Sequence, residues 1–411
     1  MELMNQPFTG QLGNRLIELL DVPDYHTLNI AVAFAKNSGV LRIKDALERF
    51  RKRGGKVNAY VGIDLGGTSY EALTALLLHT DSLNVVHSEK GQTFHPKIYQ
   101  FVGEDKGLVV VGSHNLTGGG LWTNFESSVL IPVGTSGELS ANEEKLLSEL
   151  KDYIGKLTLL KGSFMSIGAQ DDIDKLLQYG YIFKEVAEQI RRAKAATQNG
   201  SRKRLFGNGA PAKLPSITIL KNEKTAAVSV APAGPISISS SEEDQTLWYE
   251  TRGMTGGSTN ILDLSMKSLV ERGDPKGTPF DLGDPKFMRG VVEFFGVNPN
   301  TKNQIKNITL NFEGIDYADN TILFPDGEKA NGTWRLQIKG TSSSEKKITD
   351  AFRAKGGNNY LKRKVVTFTK IQDDYYSMSV YPESELENFK TASRILARNG
   401  TAKTARQIGI L

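Results

Sequence analysis

The apolar positions of this chain change period along its length. Up to about residue 160, two kinds of segment alternate. Leu28 to Ala35, Val57 to Ile63 and Leu83 to His87 are short apolar runs of the buried-strand kind, whereas Leu41 to Arg53 and Tyr70 to Leu78 repeat apolar residues at helical spacing. Such alternation predicts an α/β domain with helices packed on a largely buried sheet. His95 to Phe101 continues the sheet, with His95, Lys97, Tyr99 and Phe101 on one face and Pro96, Ile98 and Gln100 on the other. Gly107 to Gly112 and Ser127 to Val133 read as further strands, and Glu138 to Ile154 as a closing helix with Lys and Glu among its leucines.

The pattern then breaks. Asp171 to Leu177 and Tyr181 to Ala196 keep helical periodicity, but Thr197 to Lys213, with Ser201-Arg202-Lys203-Arg204 inside it, has the composition of a linker. It is either a solvated hinge or a basic segment that touches phosphates. Beyond residue 215, short strand-like runs are separated by turns rich in Gly, Asn, Asp and Pro: Ala226 to Val230, Thr246 to Thr251, Asn260 to Leu264, Val291 to Phe295, Ile308 to Asn311, Asn320 to Phe324, Thr333 to Ile338 and Val365 to Ile371. This is the pattern of an all-β barrel or sandwich. The expected organisation is a first domain over 1–160, a helical and basic linker over 161–214, and a β domain over 215–411.

Composition narrows the class. The 411 residues suffice for two cores, and 39% hydrophobic with 24% charged residues is the balance of a soluble globular chain. No stretch approaches a membrane span, and Met1 to Gln6 shows no charged leader before an apolar core, so a cytoplasmic protein without membrane contact is expected. The absence of cysteine excludes disulfides and thiolate metal sites. A net charge of +5 is compatible with nucleic acid as partner but is weak evidence for it.

The candidate chemistry lies in one stretch: His95-Pro96-Lys97, Gly112-Ser113-His114-Asn115 and Glu126. A phosphodiester is an anion, so attack on it without a metal requires neutralising the charge that builds on its non-bridging oxygens. Lys97 offers a compact cation, and Ser113 and Asn115 offer neutral donors. His95 is the candidate nucleophile, because a neutral imidazole can form a phosphohistidine and divide one hard displacement into two easier ones. Glu126 would then accept a hydrogen bond from its other ring nitrogen and fix the tautomer. A lone HxK or GSxN is more simply an ordinary turn; the two in order, at strand ends, point to catalysis. His26, His79, His87 and His114 read as structural or solvent-facing, with His114 placed to line the pocket.

The order HxK, GSxN, E resembles the phospholipase D superfamily, and its spacings resemble restriction endonucleases of the NgoFVII and BfiI type. Val102 stands where most of that superfamily has an aspartate, a departure shared by the restriction branch. The resemblance implies an α/β phospholipase D-like sandwich domain, with His95 as nucleophile, Lys97 and Asn115 on phosphate, Ser113 assisting and Glu126 orienting the histidine. It also implies chemistry with no metal and no cofactor in this chain. Superfamily members join two motifs across a pseudo-twofold, so a chain with one motif implies a homodimer through the nuclease domain, with His95 of the partner subunit as acid.

The β region resembles, less specifically, the DNA-binding pseudobarrel of the same enzymes and of plant B-three transcription factors. Two recognition arms follow from that resemblance, one carrying Arg252, Ser258 and Asn260, the other Lys329, Asn331, Thr333 and Arg335. These are side chains able to reach base edges or phosphates, and equally able to sit in solvated hairpin turns. The expected protein is a metal-independent, sequence-specific double-stranded DNA endonuclease, with a companion methyltransferase. Two alternatives stay open: the nuclease subunit of a complex that draws ATP through a helicase-like partner, and a phospholipase D-type lipid phosphodiesterase. No GxxxxGK[ST] phosphate loop occurs, so this chain is not itself the motor.

Overall fold

The computed structural model describes residues 1–134, 140–160, 162–198, 213–217, 245–254, 259–325 and 332–411. Contacts divide the chain into two units, Met1–Glu185 with Gly209–Thr218 and Val186–Asn208 with Ile219–Leu411. In the first, the elements in chain order are β1 (Glu2–Gln6), α1 (Leu12–Asp21), β2 (Tyr25–Val32), α2 (Asn37–Lys52), β3 (Lys56–Gly62), α3 (Tyr70–His79), β4 (Ser82–Val86), β5 (Lys97–Gly103), β6 (Lys106–Gly112), β7 (Glu126–Gly134), α4 (Ala141–Thr158), β8 (Phe164–Ile167) and α5 (Gln170–Gln178).

One sheet joins the strands in the order β1-β7-β6-β5-β2-β3-β4-β8. β2, β3 and β4 run parallel, connected by α2 and α3, while β5, β6 and β7 are added antiparallel on the other side. Alternation decides what each face buries. Tyr99 and Phe101 point into the large core shared with α1, α2 and α3, whereas Ile98 and Val109 turn to the face packed with residues of α4. α4 begins with a capping box in which Ser140 and Glu143 satisfy each other's backbone N–H groups.

The first unit runs past residue 160, where its expected boundary lay. β8 pairs antiparallel with β4, and Ile173 and Leu176 of α5 enter the same core. β1 and α1 were not foreseen either, although Leu12, Leu16, Leu19 and Leu20 lie at helical spacing and are buried. α1 is pressed against Trp122, fully buried, whose indole N–H donates to Asn14 Oδ1 at 2.9 Å.

In the second unit, α6 (Glu185–Gln198) packs Val186 and Ile190 with Trp248 and Phe389. The remaining elements are β9 (Thr246–Thr251), β10 (Ile261–Leu264), β11 (Lys267–Arg272), β12 (Asp281–Asp284), β13 (Phe287–Arg289), α7 (Val291–Phe294), β14 (Ile305–Phe312), β15 (Ile315–Leu323), β16 (Trp334–Gln337), α8 (Ile348–Gly356), β17 (Lys364–Gln372), β18 (Tyr375–Pro382), α9 (Leu386–Ala392), β19 (Ile395–Arg398) and β20 (Gln407–Ile410). Among the described residues they form one sheet, β10-β16-β15-β14-β18-β17-β9-β20-β19-β11-β13-β12, in which β14 and β18 pair in parallel. Mostly-β architecture is therefore present. The expected strand over Val291 to Phe295 is instead the short helix α7: Val291, Val292, Phe294 and Phe295 are all buried, so the apolar run carries no period that could distinguish strand from helix. The expected strand Ala226 to Val230 and most of the basic linker lie outside the described residues.

Two stability predictions follow from the first unit. A Cβ on Gly13 would fall 2.2 Å from the Trp122 ring, so Gly13→Ala, which in an open helix would stabilise, should lower the unfolding free energy by about 1–3 kcal/mol in urea denaturation. Glu71 is buried, and burial first, then the nearby Glu185 carboxylate, raise its pKa from 4.5 to about 7. Its folded pKa lies above its unfolded one, so its contribution is fully present below pH 4.5 and is lost as pH rises through about 7. Glu71→Gln keeps an acceptor for the Glu185 N–H, 3.0 Å away, and should raise the urea midpoint at pH 8 while leaving it nearly unchanged below pH 4.5.

Candidate active site

β5 lies antiparallel to β2 with Lys97 opposite Val32, so the start of β5 meets the end of β2. β6 returns to the same edge, where Gly112 faces Ser128, and β7 and β1 meet there with Glu126 opposite Gln6. Residues from four separate stretches thus arrive at one edge of the sheet.

His95 is exposed just before β5, its ring edge-on to Phe34 at 5.8 Å between centroids. Lys97 is only 8% exposed, and its Nζ lies 2.8 Å from His95 Nδ1, 3.0 Å from Nε2 and 3.1 Å from the His95 carbonyl oxygen. Burial pulls the Lys97 ammonium below its ordinary pKa, and the negative charge of Glu126 partly restores it. Ser113 Oγ donates to Glu126 Oε2 and accepts from the Ser127 N–H at 3.1 Å. Glu126 Oε1 accepts from Asn124 Nδ2 at 3.2 Å. Asn115 Oδ1 accepts from the Phe34 N–H at 3.1 Å, which leaves its amide NH2 as the group able to donate.

His95, Lys97, Ser113, Asn115 and Glu126 are therefore gathered at one end of the sheet. One expected contact is not made. The Glu126 carboxylate is engaged by Ser113 and Asn124, while both His95 ring nitrogens face Lys97 Nζ, so no hydrogen bond links Glu126 to His95 in this structure.

Beneath the edge lies a buried polar layer. Tyr99 is fully buried; burial, and then the Glu126 charge, push its hydroxyl well above the ordinary tyrosine pKa, and it donates to the His114 carbonyl oxygen at 3.2 Å. His114 is 1% exposed, its ring is lowered in pKa by burial, and neither of its nitrogens has a hydrogen-bond partner among the described residues. Sequence reasoning missed Gln6, whose amide donates to the carbonyl oxygens of Gly120 at 3.1 Å and Asn124 at 3.0 Å and so ties β1 to the loop leading into Glu126. No local signal marks a lone glutamine as such a brace. A Cβ on Gly120 would fall 2.4 Å from the Asn115 carbonyl oxygen, which explains a glycine at this close approach.

The second set of candidate residues is placed differently. Asn260, Thr333 and Arg335 lie at the β10 and β16 pair, where Thr333 Oγ1 is 3.4 Å and Arg335 Nε 3.7 Å from Asp263 Oδ1. Asn260 also lines a polar cavity of about 230 Å³ with Thr349, Arg353 and Asn358. Arg252 stands apart at the end of β9: its guanidinium bonds Glu250 Oε1 at 3.0 Å and the Thr404 carbonyl oxygen at 2.8 Å. Ser258, Lys329 and Asn331 lie outside the described residues. Among the described residues, no three His, Asp or Glu side chains are grouped to hold a metal ion, and no helix is long and apolar enough to cross a membrane.

No protein-family model matches the sequence, and no curated protein matches it. Among solved structures, the chain is similar to Nuc from Salmonella typhimurium, a phospholipase D family member, with 18% identity and a TM-score of 0.30 over 41% of this chain and 97% of that one. It is similar to NucT from Helicobacter pylori with 19% identity and a TM-score of 0.27, over 38% and 94% of the two chains. It is also similar to phosphatidylserine synthase from Haemophilus influenzae, with 13% identity and a TM-score of 0.29 over 45% and 44%. At such identities and scores, function has to be read from the site itself.

The hydrogen bonds separate two motif residues by their structural weight. Asn115→Ala would strand the part-buried Phe34 N–H and should destabilise the fold by about 1–3 kcal/mol, whereas exposed Ser113→Ala should stay within about 0.5 kcal/mol of wild type in denaturant titrations.

Proposed function

We propose that the chain is a phospholipase D-type nuclease: a metal-independent, sequence-specific endonuclease for double-stranded DNA, acting through a phosphohistidine on His95. The observation that carries this reading is an exposed histidine whose ring nitrogens lie within 3.0 Å of an almost fully buried lysine ammonium. An ammonium can only donate, so the His95 that attacks is the one with an unprotonated nitrogen turned to Lys97. A phosphate oxygen carries charge and is the stronger acceptor, so an arriving phosphodiester draws Lys97 to itself and frees the imidazole lone pair. His95 then attacks phosphorus as the bond to the leaving oxygen breaks, with Lys97 and the Asn115 amide holding the non-bridging oxygens. Water later attacks the phosphohistidine and restores neutral His95.

The leaving oxygen needs a proton, and one histidine cannot be nucleophile and acid in the same step. In the proposed homodimer, His95 of the partner subunit, protonated on both nitrogens, gives it and later takes a proton from the attacking water. An apolar surface beside the site supports such pairing: Phe8 and Phe125 are 78% and 74% exposed and stack on each other at 5.6 Å, the latter adjacent to Glu126. For the second unit, we assign a DNA-binding pseudobarrel that selects the site, with Asn260 on one arm, braced by Arg252, and Thr333 and Arg335 on the other. Ser258, Lys329 and Asn331 complete the proposed arms. A companion methyltransferase and a cytoplasmic location belong to the same proposal; the alternative is a nuclease subunit that draws ATP through a helicase-like partner.

The protein should cleave duplex DNA in the presence of EDTA, and labelled DNA quenched in alkaline detergent, where a phosphohistidine survives, should leave label covalently on wild type but not on His95→Ala. His95→Ala should abolish cleavage with DNA binding retained, and Lys97→Ala should lower kcat on the order of 10²–10³-fold. Cleavage that EDTA abolishes and magnesium restores, or turnover of phospholipid in place of DNA, would overturn the reading. Adding ATP with a helicase-like partner, and omitting both, tells a self-sufficient enzyme from a subunit. Phe125→Asp should shift sedimentation toward monomer and lower cleavage, with partial recovery at higher protein concentration.

A further inference from the structure

His95 lies at the end of a stretch, His87 to Pro96, that has no regular secondary structure, so something other than strand pairing must hold it. Two contacts do. The Ala33 N–H donates to the Pro96 carbonyl oxygen at 2.9 Å, and the Phe94 N–H donates to Asp64 Oδ2 at 3.0 Å. The other Asp64 oxygen lies 2.7 Å from His87 Nδ1. Asp64 is 8% exposed and sits just beyond the end of β3, where Gly62 permits a close approach: a Cβ there would fall 2.7 Å from the Ala33 carbonyl oxygen and 2.9 Å from that of Phe94. His87 is itself held. Its Nε2 is 3.8 Å from Glu89 Oε2, its ring stands edge-on to Tyr181 at 5.3 Å, and the Tyr181 hydroxyl donates to Glu89.

We infer that Asp64 is a positioning residue for His95, fixing the backbone of the preceding residue, and that His87 in turn fixes the Asp64 carboxylate. The inference rests on His95 as the reacting group. A buried carboxylate accepting from a backbone N–H makes a charge-assisted bond, roughly twice as strong as a neutral one. A nucleophile on an irregular segment depends on such support, since a displacement of about 1 Å can cost on the order of 10²-fold in rate. His87, which the sequence leaves as structural or solvent-facing, is on this geometry an outer part of the site's scaffold.

The test uses the full chain and two readouts. Asp64→Asn keeps an acceptor for the Phe94 N–H, while Asp64→Ala removes it. Hydrogen exchange over residues 88–99, measured without DNA, should rise in Asp64→Ala and not elsewhere in the first unit. On duplex DNA in EDTA, kcat of that variant should fall on the order of 10²-fold with KM within about twofold of wild type, and Asp64→Asn should recover most of both effects. Unchanged exchange over 88–99, or unchanged kcat, overturns the inference. If Asp64→Ala does not fold, His87→Ala decides in its place: exchange and kcat must both move, and a folded variant with wild-type kcat overturns it. A wild-type protein that cleaves no DNA would sink the nuclease reading alone, because the exchange measurement still judges the clamp.

Discussion

The candidate site depends on one strand pairing. β5 joins the parallel strands antiparallel, with Lys97 opposite Val32, and that reversal brings the start of β5 to the carboxyl edge of β2 and β3. From there the remaining geometry follows. β6 must end at that edge and β7 must begin there, so Ser113, Asn115 and Glu126 arrive beside His95 without any loop having to reach for them. A slip of one residue in the register would turn Lys97 and Tyr99 to the α4 face and Ile98 into the site. The register is fixed instead by burial, because Tyr99 and Phe101 fill the large core while Ile98 packs on the opposite face.

The same pairing explains how the site holds a desolvated cation. Lys97 is on a strand face that is otherwise core, which makes it costly to bury and easy to aim. Its charge is balanced at a distance by Glu126, not by a direct ion pair, and its donors are spent on His95. A lysine fully neutralised by a carboxylate would have little left for phosphate. Serine and asparagine take the neighbouring carboxylate and backbone in hand, so Ser113 shields Glu126 and Asn115 secures the Phe34 N–H. These arrangements are local and need no second chain to form.

Much of this was legible in the sequence, and the reasons for the rest are physical. β2 and β3 are legible as short apolar runs buried on both faces, and α2 as a helix with an apolar stripe; α3, buried nearly all round, is legible as a helix by its length. α7 was misread because an apolar run buried all round has no period. β1 and β8 were missed since each is short and takes its identity from the partner strand. The five motif residues could be named from chemistry, but their hydrogen bonds could not. The engagement of Glu126 with Ser113, the brace from Gln6 and the pair Asp64 with His87 are all contacts between distant stretches of chain. The arm residues show the opposite limit: Arg252 looked like a reader, yet it is tied to Glu250 and the Thr404 carbonyl oxygen.

That last contrast bears on which polar side chains can recognise anything. An arginine whose donors already meet a carboxylate and a carbonyl has to give up those bonds to reach a base, so its net gain from a new contact is small. Arg252 is in that position. The Asp263 carboxylate lies 3.7 Å from Arg335 Nε, an ion pair at longer than hydrogen-bond distance. Lys97 follows the same rule in the first unit: an imidazole is a weaker acceptor for an ammonium than an anion is, so less is given up when Nζ turns to a new partner. In the first unit the group suited to an anion is therefore one that the fold aims at an imidazole and keeps from a direct carboxylate pair.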